Sequence, residues 1–544
     1  MNPWQQMWNQ MWTWNHELKA TLRLAAGMAS SSSGRRSPAE KQSETGRPPF
    51  YSRRQRAGLL LGPFLFLLTL LVFSPEGMSP AAQKVLACTL WISVWWITEA
   101  IPIPATSLLP IILFPLTGAL EIGETTSAYG DPNIFLFLGG FMIALTMEKW
   151  NLHKRMALGI ISRIGTQPQQ LILGSMVATS FLSMWISNTA TAMMMAPIGM
   201  AVTEHFAASK KSGNLPKNGK DDFPFGTAMM LGIAYSASIG GLGTLIGTPP
   251  NAIFAAQAEK LFNVEISFAT WMLFGIPLVV VMLASTWFYL VKVAYPMPIK
   301  PISGGRTIIQ QEKNALGRIS PEEKAVLTVF ILTALSWMTK DLLLKKMLPG
   351  IDDTVIAIGA ALLLFLIPSR RKPGQSLLDW DTAKNIPWGI LLLFGGGLAL
   401  AAGITRSGLD KWIGEQLTVL SGLNILLILV VVITLVNFLT EVTSNTATAT
   451  MMFPIMAAFA VTLGIHPYGL MVPAGIAASC AFMLPVATPP NAVVFASGSV
   501  RIGQMVRTGL WLNLVSILLI TVAVYFLLPV VWGFDLMSPL KEPA

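Results

Sequence analysis

The 544-residue chain is 53% hydrophobic and only 12% charged, with a mean hydropathy of +0.59. A soluble domain carries about 25% charged residues, so this composition excludes water as the main solvent. The net charge of +10 does not point to nucleic acid, since no basic stripe is interleaved with aromatics, and Cys88, Cys480 and four scattered histidines (His16, His153, His205, His466) offer neither a disulfide framework nor a metal-ligand spacing.

Residues 1–56 read as a cytoplasmic basic tail, mostly disordered, because 29–56 is rich in Ser, Arg, Lys and Glu. Ahead of that stretch, Trp4, Met7, Trp8, Met11 and Trp12 follow helical spacing. They fit an interfacial helix or, equally, an untidy leader with Met28 as a later start. Apolar stretches of about 20 residues follow, long enough to cross a hydrocarbon core. Lipid offers the backbone no hydrogen-bond partner, so the spans are expected to be helices. They fall at 57–74, 80–97, 101–118, 132–147, 226–258, 267–291, 323–338, 352–367, 387–404, 468–499 and 508–533. Two further apolar stretches, 168–207 and 424–463, are each split by a polar turn and read as re-entrant hairpins. The first half thus runs 57–322, with hairpin 168–207 and unwound helix 226–258. The second runs 323–544, with hairpin 424–463 and unwound helix 468–499.

Charge tests this topology. With the tail inside, the inside segments are 1–56, 148–167, 208–225, 292–322, 368–386 and 500–507. Together with Lys324 at the edge of the fourth, they hold 29 of the 37 Lys and Arg residues, as the positive-inside rule requires. Counting either hairpin as a single crossing would destroy that asymmetry.

The core of the chain is duplicated. FLSMWISNTATAMMMAPI (181–198) recurs as FLTEVTSNTATATMMFPI (438–455), identical at 12 of 18 positions, and GTPPNA (247–252) answers ATPPNA (487–492). Chance likeness of apolar helices gives scattered Leu and Ala matches, not two polar clusters repeated in order. Five spans separate the hairpins, an odd number, so the halves have opposite orientation. Inverted repeats whose broken helices meet near the midplane are how secondary transporters build binding sites.

Chemistry follows from the motifs. Pro249–Pro250 and Pro489–Pro490 lie inside long apolar spans, where proline removes a donor and clashes with the preceding turn. Each span is expected to unwind there, freeing carbonyls for a cation and half-helix N-termini for an anion. The turns Ser187-Asn188-Thr189 and Ser444-Asn445-Thr446 add hydroxyls and amides without charge. No Lys or Arg lies between Arg163 and Lys210, between Lys220 and Lys260, or between Lys411 and Arg501. A dianion held there lacks a cationic side chain, and an unpaired buried charge is very costly; bound sodium would supply the missing charge. Glu441, the one acid near a hairpin tip, has Met184 as its counterpart, which leaves a structural and a proton role both open.

At these residues the chain resembles the divalent-anion:sodium symporter family of di- and tricarboxylate transporters. The likeness covers about 57–535, and rests on SNTATAMMMAPI, SNTATATMMFPI, ASCAFMLPVATPPNAVV (478–494) and TEAIPIPATSLLP (98–110). It implies an all-α polytopic membrane protein with about 11 transmembrane helices, an inverted-repeat transporter whose elevator-type transport domain slides on a scaffold within a homodimer. It implies one sodium site at Ser183, Ser187, Asn188 and the Gly247 carbonyl, and a second at Thr440, Thr443, Asn445 and the Ala487 carbonyl. Substrate carboxylates would meet Asn188, Thr189, Thr248, Asn445, Thr446, Thr488 and Pro489. The implied activity is sodium symport of a C4-dicarboxylate (succinate, fumarate or malate), with no cofactor beyond sodium as coupling ion. A sodium-independent exchanger and a citrate or sulfate carrier stay open. An intramembrane enzyme is disfavoured, because no nucleophile–base or metal cluster lies at membrane depth. The absence of any Asn-x-Ser/Thr sequon favours a bacterial inner membrane.

Overall fold

A computed structural model describes residues 51–165, 167–211, 224–297, 305–417 and 422–539. The tail up to residue 50, with its Trp-rich stretch, and the charged loop 212–223 lie outside the described residues. From Arg53 onward the described chain is helical, apart from one isolated bridge between Pro368 and Ser376.

One local device starts many of these helices. Ser79-Pro80, Asp131-Pro132, Thr248-Pro249, Ser320-Pro321 and Thr488-Pro489 each put proline in the first turn. There its missing N–H would be unpaired anyway, and its fixed φ suits the helix. The Ser79 hydroxyl accepts from Ala82 N at 3.0 Å, and Ser320 and Glu323 form a capping box. At these five positions proline begins a helix, whereas Pro63, Pro197 and Pro277 lie inside helices. The stretch 226–258 therefore breaks before its prolines: Pro224–Gly241 ends, irregular turns run through 242–248, and Pro249–Phe262 starts afresh. Likewise 468–499 divides into Tyr468–Ala478 and Pro489–Ala496. A break not foreseen splits 101–118 into Ile103–Thr106 and Leu109–Thr117; Pro110 has no N–H to offer the carbonyl of Thr106.

Six described helices are long and apolar enough to cross a membrane: Arg53–Val72, Ile122–Lys149, Phe268–Ala294, Pro321–Met347, Trp388–Ser407 and Ile502–Trp532. Ile103–Thr117, Asp353–Leu366, Ile425–Thr440 and Tyr468–Ala478 are apolar but shorter. Leu60, Leu71, Leu273 and Leu342 stand largely exposed on the outer faces. Removing such a side chain from water is worth about 1.5–3 kcal/mol, so hydrocarbon is the surface's natural surrounding. The opposite case is Lys340, fully buried yet 2.6 Å from Glu265 Oε1 and 3.2 Å from Asp353 Oδ1; a charge that deep requires partners.

Both split stretches form helical hairpins: Pro168–Ser183 with Asn188–Lys211, and Ile425–Thr440 with Asn445–Thr462. Pro168–Ser183 packs on Pro224–Gly241 as Ile425–Thr440 packs on Tyr468–Ala478. The helices after the irregular loops cross over. Pro489–Ala496 packs on Asn188–Lys211 and Pro224–Gly241, while Pro249–Phe262 packs on Asn445–Thr462 and Tyr468–Ala478. This exchange brings both loops and both hairpin tips together.

Candidate functional site

The meeting point is a cavity of 610 Å³, within the usual size range of small-molecule sites. The first tip contributes Ser187, Asn188 and Thr189, and the second Thr443, Ser444, Asn445 and Thr446. Gly247, Thr248 and Pro249 come from one loop, and Ala487, Thr488 and Pro489 from the other. Of the sequence-predicted residues only Ser183 and Thr440 stay off the cavity wall; both are fully buried behind a tip asparagine. Ser183 Oγ lies 2.5 Å from Asn188 Oδ1 and 2.6 Å from the Ala237 carbonyl oxygen. Thr440 Oγ1 lies 2.8 Å from Asn445 Oδ1 and 2.7 Å from the Ala478 carbonyl oxygen. A hydroxyl has one proton to donate, so each cluster holds more acceptors than donors, an imbalance that a hard cation relieves.

In the first half the space beside this cluster is kept open by glycine. A Cβ on Gly241 would stand 2.7 Å from Asn188 Oδ1 and 3.1 Å from the Gly247 oxygen, and one on Gly247 would stand 2.5 Å from the Gly241 oxygen. The tip amide oxygen and the Gly247 carbonyl thus face a common gap. At the matching positions the second half has Ala481 and Ala487. Thr443 is less free: its hydroxyl donates to Leu439 O at 2.8 Å and lies 2.6 Å from Thr448 Oγ1.

Four helix N-termini meet at the cavity, since Asn188, Pro249, Asn445 and Pro489 each begin a helix and each line the wall. An ideal terminus carries about half a positive charge and favours an anion. The paired prolines offer no N–H. Side-chain donors therefore come from the asparagines and threonines of the tips and from Thr248 and Thr488. Thr488 Oγ1 also accepts from Asn491 N at 3.3 Å.

Sequence reasoning passed over several residues. Asn251 Nδ2 donates to the carbonyls of Gly241 (3.0 Å) and Thr244 (2.7 Å), and Asn491 Nδ2 to those of Ala481 (3.2 Å) and Leu484 (3.0 Å). These buried side chains staple the two loops; the duplicated TPPN motif was the available signal. Glu99 and Ile103, from the early TEAIPIP motif, stand on the cavity wall.

One expectation needs correction. The cavity does have a basic side chain: Arg54, at the start of the first membrane helix, lines it. Its Nη2 donates to the Val442 carbonyl of the second tip at 2.8 Å and also to the Ile97 carbonyl. The absence of Lys and Arg along the motif segments is real. It says nothing of a side chain that reaches in from a distant part of the chain.

Glu441 is buried and fully occupied. Oε1 accepts from Phe482 N (2.7 Å), Met483 N (3.0 Å) and Asn513 Nδ2 (2.7 Å), and Oε2 from Leu484 N (3.1 Å). These bonds tie the second tip to the loop that carries Ala487 and Thr488, a structural task.

A polytopic helical protein with duplicated hairpins around a shared polar cavity belongs to the class of membrane transporters. The family model for the sodium:sulfate symporter transmembrane region matches residues 54–534. The chain belongs to this family, that of the divalent-anion:sodium symporters. It is 49% identical over 493 residues to a protein of Staphylococcus saprophyticus named sodium-dependent dicarboxylate transporter SdcS, covering 90% of this chain and 94% of that one. The protein of the same name from Staphylococcus aureus strain USA300 is 51% identical with the same coverage. Among solved structures, the Neisseria gonorrhoeae antimetabolite efflux pump MtrF aligns with a TM-score of 0.56 at 12% identity, over 91% of this chain and 98% of its own. The Alcanivorax borkumensis YdaH transporter aligns with a TM-score of 0.54 at 13% identity, over 89% and 98%. At such low identity these two speak for the fold alone.

Proposed function

We propose that the chain is a sodium-coupled secondary transporter of a C4-dicarboxylate such as succinate, fumarate or malate. The observation that carries this reading is the cavity shared by both hairpin tips, with an oxygen-rich cluster behind each tip asparagine. The name of the staphylococcal relatives, a sodium-dependent dicarboxylate transporter, supports a dicarboxylate cargo and sodium as the ion. One sodium binds at Ser183, Ser187, Asn188 and the Gly247 carbonyl, the other at Thr440, Thr443, Asn445 and the Ala487 carbonyl. The substrate lies between them against Asn188, Thr189, Asn445, Thr446 and Thr488, with Thr248 and Pro489 at its edges. Arg54 provides at most one positive charge and already donates to two carbonyls. The remaining charge of a dianion is met by helix ends and sodium.

Coupling follows from this electrostatics. Each ion favours the bound anion and the anion favours each ion, a reciprocity fixed by linkage. The protein acts as a homodimer in a bacterial inner membrane, with its N-terminus cytoplasmic and its transport domain moving as an elevator. Arg54 then marks the cytoplasmic end of the cavity. Competition by succinate, citrate, sulfate and glutamate in proteoliposomes, with and without a sodium gradient, tests the reading. Succinate alone should compete strongly and only with sodium; preferred sulfate or citrate uptake would overturn it.

A further inference from the structure

A second cavity, of 830 Å³, lies apart from the transport site and is walled by the segments 289–295 and 501–515. These are the end of the span Phe268–Ala294 and the beginning of Ile502–Trp532. The cavity therefore sits where two membrane helices leave the hydrocarbon. Its two ends differ. Toward the loops stand Arg501 and Arg507, both exposed, beside the Tyr295 hydroxyl, 2.9 Å from Thr508 Oγ1. No carboxylate among the described residues lies within ion-pair distance of Arg507. Toward the middle of the spans the wall is Tyr289, Trp511 and Val515, with Trp511 55% exposed.

Arg507, Trp511 and Val515 recur every four residues and so share a helix face. Val515 sits about 12 Å beyond Arg507 along the axis. The face changes from cationic through aromatic to aliphatic along the membrane normal, which is the order of a phospholipid's own parts. Both segments also adjoin loops expected to be cytoplasmic, on the leaflet that carries anionic lipid. A free anion would have no use for the apolar wall.

We infer that this cavity holds an anionic phospholipid, its phosphate against Arg501, Arg507 and the Tyr295–Thr508 hydroxyls and an acyl chain along Trp511 and Val515. The site is separate from the one that carries cargo, and the inference stands whether or not the cargo is a dicarboxylate.

Native mass spectrometry of the purified full chain, titrated with phosphatidylglycerol or phosphatidylcholine, tests it. Phosphatidylglycerol should bind in preference. The double variant Arg501→Gln/Arg507→Gln should lose about fivefold in its affinity per arginine, with phosphatidylcholine binding unchanged. Arg507→Lys keeps the charge and should keep the preference, which guards against a misfolded double variant. Equal binding of the two lipids, an intact preference in the double variant, or displacement of phosphatidylglycerol by millimolar inorganic phosphate would each overturn the assignment.

Discussion

The two halves bring the same elements to the cavity and fasten them differently. In the first, the tip is tied to its loop by a neutral bond, Thr244 Oγ1 donating to the Met184 carbonyl at 2.5 Å, and glycines leave the gap beside Asn188. In the second, Glu441 does the tying through three backbone N–H groups and Asn513, and alanines stand where the glycines were. Duplication fixed where the oxygens go. Divergence then gave one half a tight backbone approach and the other a buried carboxylate. The first site should therefore respond to added volume, and the second to altered hydrogen bonding.

The sharpest contrast is volume. Gly241→Ala puts a methyl against Asn188 Oδ1, and overpacking of about 1–3 kcal/mol should cut succinate uptake about tenfold to a hundredfold at normal membrane expression. The mirror change Ala481→Gly only loosens the backbone and should stay within about fivefold of wild type. Equal losses from the two would erase the asymmetry.

Next comes the carboxylate. Glu441→Gln leaves one of four donors facing an amide NH2, a loss of about 1.5 kcal/mol. The apparent sodium constant should rise about tenfold, with the succinate constant at saturating sodium nearly unchanged. A shifted succinate constant with normal sodium dependence would place Glu441 elsewhere in the mechanism.

Thr488→Ala removes the hydroxyl of a cavity-lining residue that accepts from Asn491 N, worth about 1 kcal/mol. It should raise the apparent succinate constant about fivefold; no change would remove Thr488 from the anion contacts. The smallest effect belongs to Arg54→Gln, about twofold to threefold for a solvent-exposed charge. Because salt screens such a charge, the loss should be visible at low ionic strength and fade at high. A loss independent of salt would make Arg54 a strut for Val442 and not an attractor of anions.

How far the site could be read from the chain depended on whether its residues repeat. Asn188 and Asn445 and the two TPPN segments announced themselves by occurring twice, whereas Ser183 and Thr440 came only through the family resemblance. The helix breaks at the TPPN segments were foreseen one step late, because Pro249 and Pro489 begin new helices behind the N-caps Thr248 and Thr488 instead of disrupting old ones. Gly241 was invisible: its value lies in how near Asn188 comes, which no spacing encodes. Glu441 was half legible, breaking symmetry with Met184 while its partners 41 to 72 residues downstream stayed hidden. Arg54 was missed because contact with Val442 spans 388 residues.

Equilibrium binding of labelled succinate to the purified chain, in sodium chloride and in choline chloride of equal ionic strength, goes to the root of the matter. Affinity should fall about tenfold or more without sodium, and Asn188→Ala should bind poorly even with it. Succinate held equally well in choline would mean that the oxygen clusters behind the hairpin tips cage no ion that the cargo needs.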